Sequence, residues 1–301
     1  MLYSPIEDGL QASVIVPVRN GADSIEECLS SLLALDFPTA DLELICVENG
    51  SSDDTPAILA RMASSANRLR VIREPKRGAA AARNAGLRIC QGRWVAFTDA
   101  DCRVDPAWLK NLLAPLLQGE TDVVGGRILG RFGANRIERF GEIIHDHRKA
   151  IQDCWPPYII SMNMAASADL LRNQGGFDER WLRGQDSELA FRLASAGMRF
   201  TYVADAIIRH RNRDTIRKLM KEAYTHGYWG ASLFRQYAGL TAQAPPHPPG
   251  APTSEARQDG LTDREVAFYS WIFGKAKRVG WLMGRRFPPT ALSGPAELLR
   301  S

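Results

Sequence analysis

Within the first 130 residues, short apolar runs rich in β-branched side chains alternate with segments of helical spacing, and this restricts the fold more than any other feature. Strands are expected at 12–18, 42–47, 69–72 and 94–97, with helices over 54–64, 79–89 and 106–117. Behind the first strand, Asp23 or Ser24 offers an N-cap with Glu26 and Glu27 three residues on, and Ile25, Leu29, Leu32 and Leu33 share one helical face. Parallel neighbours need a crossover, so the expected class is α/β, a mostly parallel sheet flanked by helices. A length of 301 residues allows one large domain or two modest ones, and 45% hydrophobic with 24% charged residues argues against a disordered, collagenous or disulfide-scaffold chain.

Sheets of this kind bind ligands at the carboxyl ends of their strands. There the chain carries Pro17-Val18-Arg19-Asn20, Glu48-Asn49-Gly50-Ser51-Ser52, Glu74-Pro75-Lys76-Arg77-Gly78 and Thr98-Asp99-Ala100-Asp101. The rhythm breaks between 130 and 176, in an insert with His145, Asp146, His147 and Trp155. A turn at 175–179, a helix over 186–196 and a strand over 199–208 running on to His210 follow, then a Pro-, Ala- and Gly-rich stretch at 242–260 that reads as a linker. His145, Asp146 and His147 have no metal-ligand spacing and read as part of a helix. Neither a spanning apolar run nor a basic-then-apolar leader is found, so no transmembrane helix and no cleaved signal are expected. The five cysteines form no C-x-x-C pair and suit reduced thiols in a cytoplasmic protein.

Asp99 and Asp101 stand two apart at a strand end, and in an extended segment such residues point to one side. Two carboxylates converging there need a cation, and oxygen ligands of this kind suit Mg2+ or Mn2+ bridging substrate phosphates. The plainer alternative has Asp99 capping a turn and Asp105 capping the helix ahead of Pro106. A net charge of +4 gives no indication of a nucleic-acid partner. The cations are clustered locally: Arg211, Arg213, Arg217, Lys218 and Lys221 face one acid, Asp214. They form either a solvated helix face or a surface that attracts phosphate. The tail is apolar and aromatic over 266–273 and then carries Lys275, Lys277, Arg278, Arg285 and Arg286 without an acid. That composition suits a helix at a bilayer interface over 266–287, although Phe268, Trp271 and Trp281 lie off its main stripe. Packing on the protein itself or on a second subunit, as in a homodimer, is the alternative.

Residues 14–101 resemble the nucleotide-sugar half of family 2 glycosyltransferases of the A-type fold, in Val16-Pro17-Val18-Arg19-Asn20, in the run from Val47 to Thr55, in Gly78 to Gly86 with Ala82-Arg83-Asn84, and in Asp99-Ala100-Asp101. Gly175-Gly176-Phe177-Asp178-Glu179, the run from Gly184 to Leu193 and His210 follow the family's order, so the likeness spans about two thirds of the chain. It implies a Rossmann-like catalytic unit over 10–240, with a nucleotide-sugar half at 10–130 and an acceptor half at 131–240, a linker at 241–260 and a helical tail at 261–301. By the same resemblance Pro17, Val18 and Arg19 border the base, and Glu48 and Asn49 meet the base or ribose. Arg77 and Gly78 pass near the phosphates, and Ala100 lies against the donor. Asp99 holds the ribose or shares the metal, Asp101 coordinates Mn2+ or Mg2+, and His210 is a further ligand. Asp186 is the base that deprotonates the acceptor hydroxyl, with inversion at the anomeric carbon. Asn163, Trp181 and Gln185 are candidates for acceptor contact by position. Two positions depart from the usual pattern, Asn49 and Gln185 each standing where an acid is common.

The implied activity is metal-dependent hexosyl transfer from a nucleotide sugar, UDP favoured over GDP or dTDP, to a saccharide or lipid-linked acceptor in glycan, envelope polysaccharide or glycolipid synthesis at the cytoplasmic face of a membrane. A catalytically inactive nucleotide-sugar binder is one alternative. A nucleotidyltransferase is another, but Arg19-Asn20-Gly21-Ala22 makes a poor phosphate loop, and a dinucleotide dehydrogenase would need a G-x-G-x-x-G that is absent.

Overall fold

The computed structural model describes residues 11–131, 134–243 and 260–292. The first half runs β1 (Ala12–Val18), α1 (Ile25–Leu33), β2 (Leu42–Glu48), α2 (Thr55–Ser65), β3 (Leu69–Arg73), α3 (Ala79–Ile89), β4 (Trp94–Phe97), β5 (Cys102–Val104), α4 (Trp108–Leu117) and β6 (Val123–Gly130). The second runs α5 (Arg136–Ile144), α6 (His147–Gln152), β7 (Met164–Ser167), α7 (Ala168–Asn173), α8 (Gln185–Ser195), β8 (Phe200–His210), α9 (Ile216–Gln236), α10 (Ala238–Thr241) and α11 (Asp263–Arg286). The expected linker at 241–260 lies for the most part outside the described residues. His145 and Asp146 interrupt the helix expected around them, Asp146 capping α6 through Lys149 N–H.

One sheet of order β3-β2-β1-β4-β7-β6-β8-β5 organises the described residues. Its first four strands are parallel, as the alternation requires. β7 is antiparallel to both β4 and β6, β6 is parallel to β8, and β8 is antiparallel to β5, so the second half is mixed. The break in rhythm after residue 130 is the sequence's mark of that change.

Strands covered on both faces read as continuous apolar runs. Val14, Val16, Leu44 and Ala96 turn to one face, under Leu29, Leu32, Leu59 and Leu112. Ile15, Ile45, Val95 and Phe97 turn to the other, under Ala82, Leu87, Leu171 and Leu189. Removing such a side chain from water stabilises the fold by about 1.5–3 kcal/mol each. The expected N-cap of α1 is not formed: Ser24 Oγ donates instead to the Gly21 carbonyl at 3.4 Å. No helix of the described residues is long and apolar enough to cross a membrane.

Because β7 runs against β4, Phe97 faces Met164 and the residues just before β7 continue alongside those just after β4. His210, at the end of β8, faces Cys102. The carboxyl ends of β1, β2, β4 and β8 and the entry to β7 therefore meet along one edge.

Candidate active site

Backbone hydrogen bonds tie the loops after β1 and β2 into one wall. Val18 C=O accepts from Asn49 N–H at 2.9 Å, and Asn20, at φ 52°, accepts through Oδ1 from Ser52 N–H at 2.8 Å. Arg19 Nε donates to the Gly50 carbonyl at 3.3 Å, Pro17 is half-buried behind it, and Val18 is buried. Glu48 is buried, accepts from Ser51 N–H and stands 3.6 Å from Arg73 Nε. Asn49 donates through Nδ2 to the carbonyls of Glu74 and Lys76 at 2.9 and 2.8 Å and accepts at Oδ1 from Gly78 N–H at 2.8 Å. The departure from an acid at this position thus has a structural reason: an amide can both donate to and accept from the 74–78 turn, whereas a carboxylate only accepts. Gly78, at φ 134°, allows that turn, and Arg77 is exposed on it.

The extended-segment argument for Asp99 and Asp101 does not hold. β4 stops at Phe97, and Cys102 N–H donates to the Asp99 carbonyl at 3.0 Å, closing a turn through Ala100. The two carboxylates are drawn to different cations. Arg83 Nη2 on α3 donates to Asp99 Oδ1 at 2.6 Å, while Asp101 Oδ2 lies 3.5 Å from His210 Nε2. Arg83 is buried, its guanidinium 5.5 Å from the Phe177 ring centroid, and its Nε and Nη1 have no partner among the described residues. The buried guanidinium fixes the Asp99 carboxylate, which keeps part of its surface open to a ligand. Arg83 lies in the matching run from Gly78 to Gly86 with no role implied for it; the signal is a cation about one turn into α3, the helix that leads into β4.

Behind this pair, Asn212 Nδ2 donates to the Glu138 carbonyl at 2.8 Å, which sets the amide's orientation. Its Oδ1 then accepts from Nδ1–H of both His210, at 2.7 Å, and His145, at 3.1 Å. This tautomer leaves His210 Nε2 directed to Asp101. A Cβ on Gly141 would overlap Asn212 Cγ, so α5 clamps the amide in place. Burial works against the charged form of His210, but the Asp101 carboxylate and Asn212 outweigh it and push the imidazole up to about 9. Burial and then the charge of His210 push neighbouring His145 down to about 3.

Asp186, half-buried in the first turn of α8, accepts through Oδ2 from Ser161 N–H at 3.3 Å and from Ser161 Oγ at 3.5 Å. Ser161 belongs to the segment that enters β7 beside the end of β4, which brings Asp186 to the same edge as residues 98–101. His147 supports that segment: Ile160 N–H donates to its Nε2 at 2.9 Å, and Nδ1–H donates to the Gly126 carbonyl at 2.9 Å. Burial pushes this imidazole down to about 4, so it is neutral here. Gln185, next to Asp186, has a buried Oε1 with no partner among the described residues.

Two acceptor expectations are corrected. Asn163 is 0% exposed, with Nδ2 on the Arg127 and Ala206 carbonyls and Oδ1 accepting from Trp108 Nε1. Trp181 is 1% exposed and packs with Phe191, Leu233 and Trp229. Asn163 ties β6 and β8 to α4, Trp181 packs between α8 and α9, and both side chains are buried away from a ligand.

Similarity to known proteins agrees with this geometry. The chain is 27% identical over 289 residues to glycosyltransferase AglE of Haloferax volcanii, covering 90% of this chain and 94% of that protein. It is 29% identical over 239 residues to the pre-mycofactocin glycosyltransferase of Mycobacterium tuberculosis, covering 76% of this chain and 49% of that relative, about half its length. Its fold is similar to that of Staphylococcus aureus TarS 1–349 in complex with UDP-GlcNAc, at a TM-score of 0.60 and 20% identity over 96% of this chain and 78% of that one. It is also similar to mannosyltransferase PcManGT from Pyrobaculum calidifontis in complex with GDP-Man and Mn2+, at a TM-score of 0.65 and 21% identity over 93% and 88%. The family model for glycosyl transferase family 2 matches residues 13–173, more than half of the chain, and the chain accordingly belongs to that family of glycosyltransferases, with the A-type fold expected of it.

Proposed function

We propose that this glycosyltransferase moves a sugar from a nucleoside diphosphate to a hydroxyl acceptor, with inversion, and that Asp186 is its catalytic base. The hydrogen bond from Ser161, in the segment that enters β7 alongside the end of β4, to Asp186 is the observation that supports the reading. A sugar hydroxyl is a weak nucleophile at neutral pH, so a carboxylate within hydrogen-bond reach must accept its proton as the bond to carbon forms. A single displacement with attack opposite the leaving diphosphate inverts the anomeric centre. Residues 17–19, Glu48 and the 74–78 turn shaped by Asn49 would hold the nucleoside. Arg83, paired with Asp99 Oδ1, would hold that partly exposed carboxylate in place for a ribose hydroxyl. That TarS is solved with UDP-GlcNAc and PcManGT with GDP-Man supports a nucleotide-sugar donor, UDP or GDP, with dTDP as a further choice.

Mn2+ or Mg2+ fits the residues present. Asp101 supplies a carboxylate oxygen and His210 an imidazole nitrogen whose tautomer Asn212 sets, a donor set these cations accept. Among the described residues no three His, Cys, Asp or Glu form a ready-made cage. One or two side chains together with substrate phosphates are the usual protein share for Mg2+. When bound, the cation would stabilise negative charge on the departing diphosphate.

Residues 10–130 then form the donor half and 131–240 the acceptor half, and the acceptor is a saccharide or a lipid-linked hydroxyl met at the cytoplasmic face of a membrane. A thermal-shift screen of UDP-, GDP- and dTDP-sugars with Mn2+, followed by donor hydrolysis in the wild type and in Asp186→Asn, tests the reading. Stabilisation by one donor, with turnover lost in the variant, is expected. Binding without turnover of any donor would make the chain a nucleotide-sugar binder, and release of pyrophosphate from a nucleoside triphosphate would make it a nucleotidyltransferase.

A further inference from the structure

Helix α11 has two apolar sides, and only one is covered. Ala276, Gly280 and Gly284, four residues apart, are buried against α9. Cβ atoms on Gly280 and Gly284 would overlap the Tyr224 and Tyr228 carbonyls, and one on Gly227 would overlap that of Lys277, so the two backbones touch. Phe268, Trp271, Lys275, Val279, Leu282 and Arg286 follow one another at intervals of three or four residues, which keeps them on a single side of the helix. All six are exposed, Trp271 by 62% and Leu282 by 57%. Phe268 and Trp271, off the main stripe when the helix is read alone, thus belong to this second side, whereas Trp281 turns inward against Phe234.

We propose that this outer side of α11 docks on an anionic lipid surface. Its chemistry selects that occupant. Residues 216–243 and 266–287 carry nine cations and one acid, Glu222, whose carboxylate is turned to His145 and Arg213. Aromatic and aliphatic side chains interleaved with Lys and Arg match a bilayer interface, where the former enter the acyl boundary and the latter meet lipid phosphates. A second copy meeting this side about a two-fold axis would press Lys275 and Arg286 toward their own copies. Nucleic acid would take the cations and leave Val279 and Leu282 in water. α9 starts six residues after His210, so the helix that carries α11 is joined to the candidate site by a short stretch of chain. Its purpose rests on the lipid-linked acceptor of the proposed function, but its existence does not.

The full chain is sedimented with vesicles of phosphatidylcholine alone and with phosphatidylglycerol added. Pelleting is expected with the anionic vesicles only, and it should weaken as salt rises. Lys275→Ala and Arg286→Ala should each weaken it by about fivefold, and Trp271→Ser with Leu282→Ser should abolish it, while melting temperature stays unchanged because all four side chains are exposed. Absence of pelleting by the wild type, or pelleting of the Ser variant equal to wild type, would overturn the proposal. So would a lipid-free dimer that the Ser variant dissolves, since the side would then belong to a second copy. Vesicle binding without sugar transfer would leave the surface standing and count against the proposed function alone.

Discussion

The parallel half of the sheet and the α9–α11 pair hold themselves together by different means. In β1, β2 and β4, branched residues such as Ile15, Ile45 and Val14 are removed from water on both faces, and the hydrophobic effect does most of the stabilising. Between α9 and α11, Gly227, Gly280, Gly284 and Ala276 let the backbones touch, with Phe273 against His226 and Trp281 against Phe234 flanking that line, while Val279 and Leu282 stay outside. Small-residue contacts of this kind are common between helices in lipid, where apolar side chains gain nothing from burial. On the functions proposed above, the carboxyl edge of the sheet would carry the chemistry and the outer side of α11 the attachment.

Exchanging the carboxylate on α8, a helix that packs on the first region through Leu189, should have the largest effect. Asp186→Asn is expected to lower transfer by ~10²–10⁴-fold, with donor-induced stabilisation retained, and Trp271→Ser should leave transfer to a soluble acceptor unchanged. Equal losses in both would erase the distinction.

The second effect is on pH dependence in the metal-free protein. His210 is raised from 6.5 to about 9, so its protonated form stabilises the fold fully below pH 6.5, and that contribution is lost as pH rises through 9. His145 and His147 are lowered to about 3 and about 4, so their contribution is present above pH 6.5 and is lost as pH falls toward those values. Melting temperature measured with a chelator should therefore peak near pH 6.5, and His210→Gln should flatten the alkaline limb. A flat profile in the wild type would contradict the Asp101–His210 pairing.

Gly280→Leu should force α11 off α9, costing about 1–3 kcal/mol as overpacking does. Hydrogen exchange should show the loss in α9 and α11 while β1 and β2 keep their protection. A smaller change is expected from Thr262→Ala, which removes the capping box formed with Glu265 at the start of α11 and should cost about 1 kcal/mol. If either variant exposes the sheet as much as the helices, the two regions are one cooperative unit.

Sequence reading is most successful where one residue's environment is decided by its neighbours in the chain. The strands at 12–18 and 94–97 and the helix at 79–89 have the expected bounds, because apolar periodicity and flanking turns are local signals. It misleads where partners come from far away. Asp99 and Asp101 were expected in an extended segment, but they stand in a turn after β4, Asp99 paired with Arg83 and Asp101 near His210. Asn163 and Trp181 were expected at a ligand because of their position in the chain, yet distant elements bury both. His147 carries no metal-ligand spacing, and its part in holding Ile160, and through it the Ser161–Asp186 contact, appears only in three dimensions.

The order of apolar runs and turns was enough to determine an α/β sheet with polar residues at its strand ends, since alternation requires crossovers and crossovers require covered faces. Tertiary structure alone decided which strands reverse, which cation each acid meets and which side of α11 remains bare. Those outcomes depend on contacts between different elements, some close in the chain like Arg83 and Asp99 and some far like Asp101 and His210, and a linear pattern does not encode them.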